Sequence, residues 1–178
     1  LNTPKGHDLS GMQRLCLIIL RTAIGWHMLS EGIGKFMTLG WTATGFLSIS
    51  FGPFAPFFKW MIAPENEWFL NISNMIVMYG LIFAGASLLL GCFTRLGCLV
   101  GLILLALFYC AMPPWEWTPI PGTESNSLIV NRNVIEFLGL LIVLAFPTGR
   151  FAGLDALLYP MIGQYFPEWI VGARSKEA

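Results

Sequence analysis

Charged side chains are scarce in this 178-residue chain: Lys, Arg, Asp and Glu together make up 11% of it. A soluble globular domain carries about 25%, so an ordinary water-facing surface is excluded for much of the molecule. The ten basic and ten acidic residues cancel to a formal net charge of zero, which leaves no electrostatic footprint for nucleic acid. Histidine is nearly absent, with only His7 and His27, and the four cysteines (Cys16, Cys92, Cys98, Cys110) form no CxxC pair. That spacing builds no zinc site, and the cysteines read as small apolar packing residues. No haem, flavin or metal motif is present either.

Apolar residues fill the space that charge leaves. They make up 56% of the chain, and the mean hydropathy is +0.68. A membrane crossing needs about 20 mostly apolar residues, and four segments qualify. They run roughly from Met12 to Phe36, Phe69 to Phe93, Leu96 to Met112 and Asn133 to Phe151. Helices are expected, because lipid satisfies no backbone hydrogen bond and nothing reads as alternating barrel strands. The predicted fold class is therefore an all-α membrane protein, a four-transmembrane-helix bundle.

The connections differ in character. Spans two and three are joined by a short link at "TRLG". Between spans one and two, "WTATGFLSISFGPFAPFFKWMI" is apolar but broken by Gly52, Pro53 and Pro56. It is expected to be interfacial or re-entrant, packed over the outer mouth of the bundle. "PPWEWTPIPGTESNS" is a proline-rich loop between spans three and four. Residues 1–158 are read as one four-helix domain and 159–178 as an amphipathic, charged C-terminal tail.

Basic residues set the expected orientation. With the N-terminus inside, the inner side takes Lys5, Arg14, Arg95, Arg150, Arg174 and Lys176. The outer side takes Lys59 and Arg132, with Lys35 near the edge. This asymmetry places both termini in the cytoplasm. Small residues at helical spacing, Gly97 with Gly101 and Gly80 with Ala84, mark helix contacts.

The first span keeps three titratable groups in "GWHMLSEGIGKF": His27, Glu31 and Lys35. Residues four apart share a helix face, so they form one polar stripe, and Glu31 before Lys35 is the favourable order for an ion pair. Arg21 lies further down the same helix. Span four enters from the outside, which puts Arg132, Asn133 and Glu136 at the level of the stripe. The expectation is one outer-leaflet pocket between spans one and four, roofed by "GPFAPFF". An ionised group in mid-bilayer costs roughly 2.5–3.5 kcal/mol, so Arg21 and Glu136 should face the interior, paired. In a functional site, Glu136, Glu31 and His27 would handle protons, while Arg21, Lys35, Arg132 and Asn133 would hold anionic oxygens. The same groups also suit a structural role, as pairs that set helix register.

The stretches "LRTAIGWHMLSEGIGKF", "GFLSISFGPFAPFF", "YGLIFAGASLLLGCFTRLG" and "NRNVIEFLGLLIVLAFPTGRFAGLD", in that order, resemble the DoxX/DoxD family of small four-helix bacterial membrane proteins. The resemblance covers roughly residues 12–158. The family's opening-helix pattern maps onto Arg21, Gly25, Gly32 and Lys35, and its polar entry to the fourth helix maps onto Asn133 and Glu136. It implies a multi-pass subunit of the bacterial inner membrane, working with other membrane or periplasmic proteins. The DoxD branch is the membrane subunit of thiosulfate:quinone oxidoreductase, with a DoxA partner. No DoxA-like soluble part is present in this sequence. The first expectation is thus an accessory or structural subunit of a larger complex. The alternative is a membrane subunit of a quinone-linked oxidoreductase, with no cofactor held tightly by this chain and quinone as its exchangeable ligand.

Overall fold

The computed structural model describes residues 9–114, 129–146 and 148–156. The loop around Trp115 and Trp117 and the expected tail at 159–178 lie outside the described residues. What is described is mainly helical, with no strand among the described residues. Among the described residues seven α-helices run in chain order: α1 Gly11–Met37, α2 Thr44–Ser48, α3 Ala55–Met61, α4 Glu67–Leu90, α5 Thr94–Ala111, α6 Arg132–Ala145 and α7 Thr148–Phe151.

Local chemistry explains the ends. α1 starts on a capping box: Ser10 Oγ accepts from Gln13 N while Gln13 Oε1 accepts from Ser10 N, which satisfies two donors that the helix itself cannot. α4 stops at Gly91, which takes the left-handed conformation (φ 63°) that glycine tolerates. The turn into α5 is Gly91–Phe93, so "TRLG" is the first turn of α5 rather than a link. α6 opens on Asn131, whose side chain accepts from Val134 N at 3.1 Å.

The expected fourth span is divided. A residue before proline is pushed out of the helical region, and Phe146, which precedes Pro147, is extended at φ −113°, ψ 139°. α6 therefore has 14 residues, about 21 Å at 1.5 Å per residue, and α7 resumes beyond the break. Among the described residues, two helical stretches are long and apolar enough to cross a membrane, Pro64–Leu90 and Thr94–Ala111.

The four longer helices close a ring: α1 packs on α4, α4 on α5, α5 on α6 and α6 on α1. Their shared core holds Ile24 and Met28 of α1, Ala84 and Leu88 of α4, Leu105 of α5 and Leu140 of α6. The tightest seam is α1 against α4. A Cβ at Gly85 would run into the backbone of Leu29, and one at Gly32 would lie 2.8 Å from Ile82 N. Only glycine lets the two backbones approach this closely. Gly97 similarly faces Ser87, and Gly101 faces Leu140 and Met28. The segment after α1 forms a cap with its own small core of Leu47, Phe58 and Met61 against Leu70 and Ala111.

Candidate functional site

Helical spacing puts His27, Glu31 and Lys35 on one face of α1, and the structure brings α6 to it. His27 Nδ1 lies 2.8 Å from Glu136 Oε1 and His27 Nε2 lies 3.9 Å from Glu31 Oε1. The imidazole thus stands between two carboxylates on two helices. Nδ1 makes no hydrogen bond among the described residues, so the contact with Glu136 is a pairing of charges only when the imidazole is protonated. Lys35 Nζ donates to Glu31 Oε2 at 2.6 Å and lies 5.8 Å from the centre of the Trp41 ring, a cation–π distance.

Burial is graded along the cluster. The Glu136 side chain is 14% exposed, His27 32% and Glu31 42%, so the site opens from the α1–α6 seam toward the surface. Arg132, exposed in the first turn of α6, is within electrostatic reach of Glu31. Asn133 is half-buried beside it. A groove of about 210 Å3 borders the cluster, lined by Ser30, Glu31, Gly34, Lys35, Thr38 and Trp41. Trp41 is placed by the turn after α1, which Asn74 of α4 holds: Ala43 N donates to Asn74 Oδ1 at 3.0 Å and Asn74 Nδ2 donates to Thr42 Oγ1 at 3.2 Å. The expected roof, "GPFAPFF", instead packs over the ends of α4 and α5, with Phe57 edge-on to Phe69.

Arg21 does not join this group. It points to the opposite end of the bundle, where Nη2 donates to Ala152 O. Arg21, expected deeper on the same helix yet among the anion-holding residues, is thus set apart from Lys35, Arg132 and Asn133. The reason is the return of the chain after Pro147, which lays residues 148–156 against α1 and the α4–α5 turn.

That return brings in residues the sequence did not single out. Asp155 caps α5 from 61 positions away: Oδ2 accepts from Thr94 N at 3.2 Å and Thr94 Oγ1 at 2.8 Å. Oδ1 accepts from Phe93 N at 2.7 Å. Its own backbone N–H donates to Gly91 O at 2.8 Å, and Leu154 N donates to Leu90 O at 3.0 Å. One short segment thereby satisfies orphan carbonyls ending α4 and orphan amides opening α5. Its only sequence signal was an acidic residue in "FAGLD", inside a stretch that carried the family resemblance.

Chemically, the outer cluster can hold and pass a proton, because an imidazole, which both donates and accepts one, stands between two carboxylates. No group of three or more His, Cys, Asp or Glu suited to a metal ion occurs among the described residues. Comparison of the chain with family models, with curated proteins and with solved structures gives no match.

Proposed function

We propose that this chain is a multi-pass protein of the bacterial cytoplasmic membrane, DoxX-like, that serves as an accessory subunit of a larger membrane assembly. The observation that carries this reading is the apolar outer surface of every long helix. Ile19 of α1, Ile76 of α4, Ile103 of α5 and Leu138 of α6 are all exposed. A soluble protein rarely exposes apolar area on this scale, and such surfaces mark membrane or protein contact. In this reading α1, α4 and α5 cross the bilayer. α6 crosses together with the segment beyond its break, since α6 alone is shorter than the roughly 30 Å hydrocarbon core. Both termini are cytoplasmic, by the distribution of basic residues. The cap around α2 and α3, with Phe57, Trp60 and Trp68 exposed, suits an interfacial layer and a contact with partner subunits.

Cysteine labelling at introduced positions in "PGTESN" from outside intact cells tests the orientation, and labelling only from the cytoplasm sinks it. Mild-detergent purification tests the assembly. Co-purification at fixed stoichiometry with larger membrane subunits supports it, whereas a lone monodisperse species defeats it.

A second reading is favoured by one specific observation, the His27–Glu136 contact beside Glu31 and Lys35. Such a cluster suits proton transfer to or from a quinone head group, with Lys35 and Arg132 attracting anionic oxygens. Quinone reduction by the chain with its partner is the test, and absence of turnover with every quinone analogue removes the reading.

A further inference from the structure

The groove beside the polar stripe has about 210 Å3 of room, between Ser30, Glu31, Gly34, Lys35, Thr38 and Trp41. One water needs roughly 10–15 Å3 on this measure, so a group of several heavy atoms fits. Its floor is Gly34, where an added Cβ would meet nothing within 4 Å. Its far wall, Trp41, belongs to the turn that Asn74 holds in place. Both walls are therefore built before any ligand arrives.

The polar atoms of the groove select the ligand's chemistry. Ser30 Oγ donates its proton to His27 O, and Thr38 Oγ1 donates to Gly34 O, both at 2.8 Å. Each hydroxyl has spent its one hydrogen and can meet a ligand only as an acceptor. Glu31 Oε2 accepts from Lys35, while Oε1 has only His27 Nε2 at 3.9 Å, beyond hydrogen-bond range. These acceptors suit a primary ammonium, which brings three donors. Lys35 Nζ gives Glu31 at most two of its three N–H groups, to Oε2 at 2.6 Å and to the backbone O at 3.4 Å. One remains for an anionic oxygen. A lone anion would meet Glu31 and a lone cation would meet Lys35, so a ligand that carries both charges fits best.

The surroundings point to a lipid as its carrier. Trp26, Ile33 and Met37 share a face of α1 with Ser30, at spacings of three and four, and all three are exposed. Trp and Lys side chains near a helix end are typical of head-group level. We propose that this groove binds the head group of one phosphatidylethanolamine-type lipid, with its ammonium on Glu31 and the two hydroxyls, its phosphodiester on Lys35 and an acyl chain along Ile33 and Trp26. The inference rests on the reading of the chain as a membrane protein and is independent of the quinone reading.

Native mass spectrometry of the full, delipidated chain tests it, by titration with phosphatidylethanolamine, phosphatidylcholine and phosphatidylglycerol of identical acyl chains. One phosphatidylethanolamine should be retained with a Kd about tenfold below that of phosphatidylcholine, whose trimethylammonium cannot donate hydrogen bonds to Glu31. Glu31→Gln should bring the two lipids close to parity. Lys35→Met should weaken both alike, since both carry the phosphodiester. Gly34→Leu should fill the groove and abolish the preference, on an exposed face where the bundle tolerates it. Equal uptake of the three lipids by the parent overturns the proposal, and so does a preference that survives Gly34→Leu. Should Glu31→Gln or Lys35→Met fail to fold, Gly34→Leu decides. Soluble glycerophosphoethanolamine that binds as tightly as the lipid rejects the lipid as occupant. A parent that enters phosphatidylcholine nanodiscs but shows no lipid preference loses this site and keeps the membrane reading. A parent that enters no bilayer loses both.

Discussion

His27 Nδ1 sits 2.8 Å from Glu136 Oε1, which sets an α1 imidazole against an α6 carboxylate in the seam between the two helices. Breaking a buried pair on one side costs about 3–5 kcal/mol, whereas exposed pairs contribute about 0.2–1 kcal/mol. With His27 32% exposed and Glu136 14% exposed, an intermediate value is expected. His27→Gln, Glu136→Gln and the double variant should show a coupling of about 1–2 kcal/mol in a double-mutant cycle of unfolding. Strict additivity would mean that the two groups do not interact.

Asp155→Ala should destabilise the chain by about 2–3 kcal/mol, more than an ordinary cap deletion of about 1 kcal/mol, because a carboxylate with three hydrogen bonds is lost. Asp155→Asn keeps an acceptor and should lose less. Chemical denaturation of the purified protein measures both. An alanine variant as stable as the parent would show that the α5 amides find other partners.

Gly85→Ala should cost about 1–3 kcal/mol, since the added carbon meets the Leu29 backbone, which cannot turn aside as a side-chain tip can. Gly34→Ala is the control. It lies on the same helix as Leu29 with nothing within 4 Å of the added carbon. There alanine should stabilise by roughly 0.5–1 kcal/mol through helix propensity. Melting curves of the two variants on opposite sides of the parent are the expected result, and parallel shifts would contradict the α1–α4 seam.

The Cys92 thiol, in the α4–α5 turn, is pushed above the ordinary thiol range, first by burial and then by the negative charge of Asp155. A group with a raised folded pKa contributes fully below its unfolded value and loses that contribution as pH rises through the folded one. Stability should therefore be insensitive to this thiol at neutral pH and decline on the alkaline side, and Cys92→Ser should remove that decline. Alkylation of Cys92 at neutral pH should also run slower in the folded chain than in denaturant. Equal rates would show a thiol that senses neither burial nor Asp155.

The helices and the α1 stripe were legible in the sequence because their signals are local. Apolar runs located α1, α4 and α5 to within a few residues, and a spacing of four placed His27, Glu31 and Lys35 on one face. The break after α6 was not read, although its signal is local: Pro147 constrains the residue before it. What the sequence could not decide was which charges meet across helices. Glu136 was expected near the stripe from its depth alone, and the closed ring of α1, α4, α5 and α6 put it against His27. Arg21 was legible as a buried group needing a partner. Its partners, however, come from Ala152 and the surroundings of Asp155, 131 residues away in the first case. Helical periodicity fixes direction around an axis but carries no record of where a later segment returns. That return depends on the close backbone approach at Gly85 and Gly32 and on the path after Pro147, and both are properties of the packed chain.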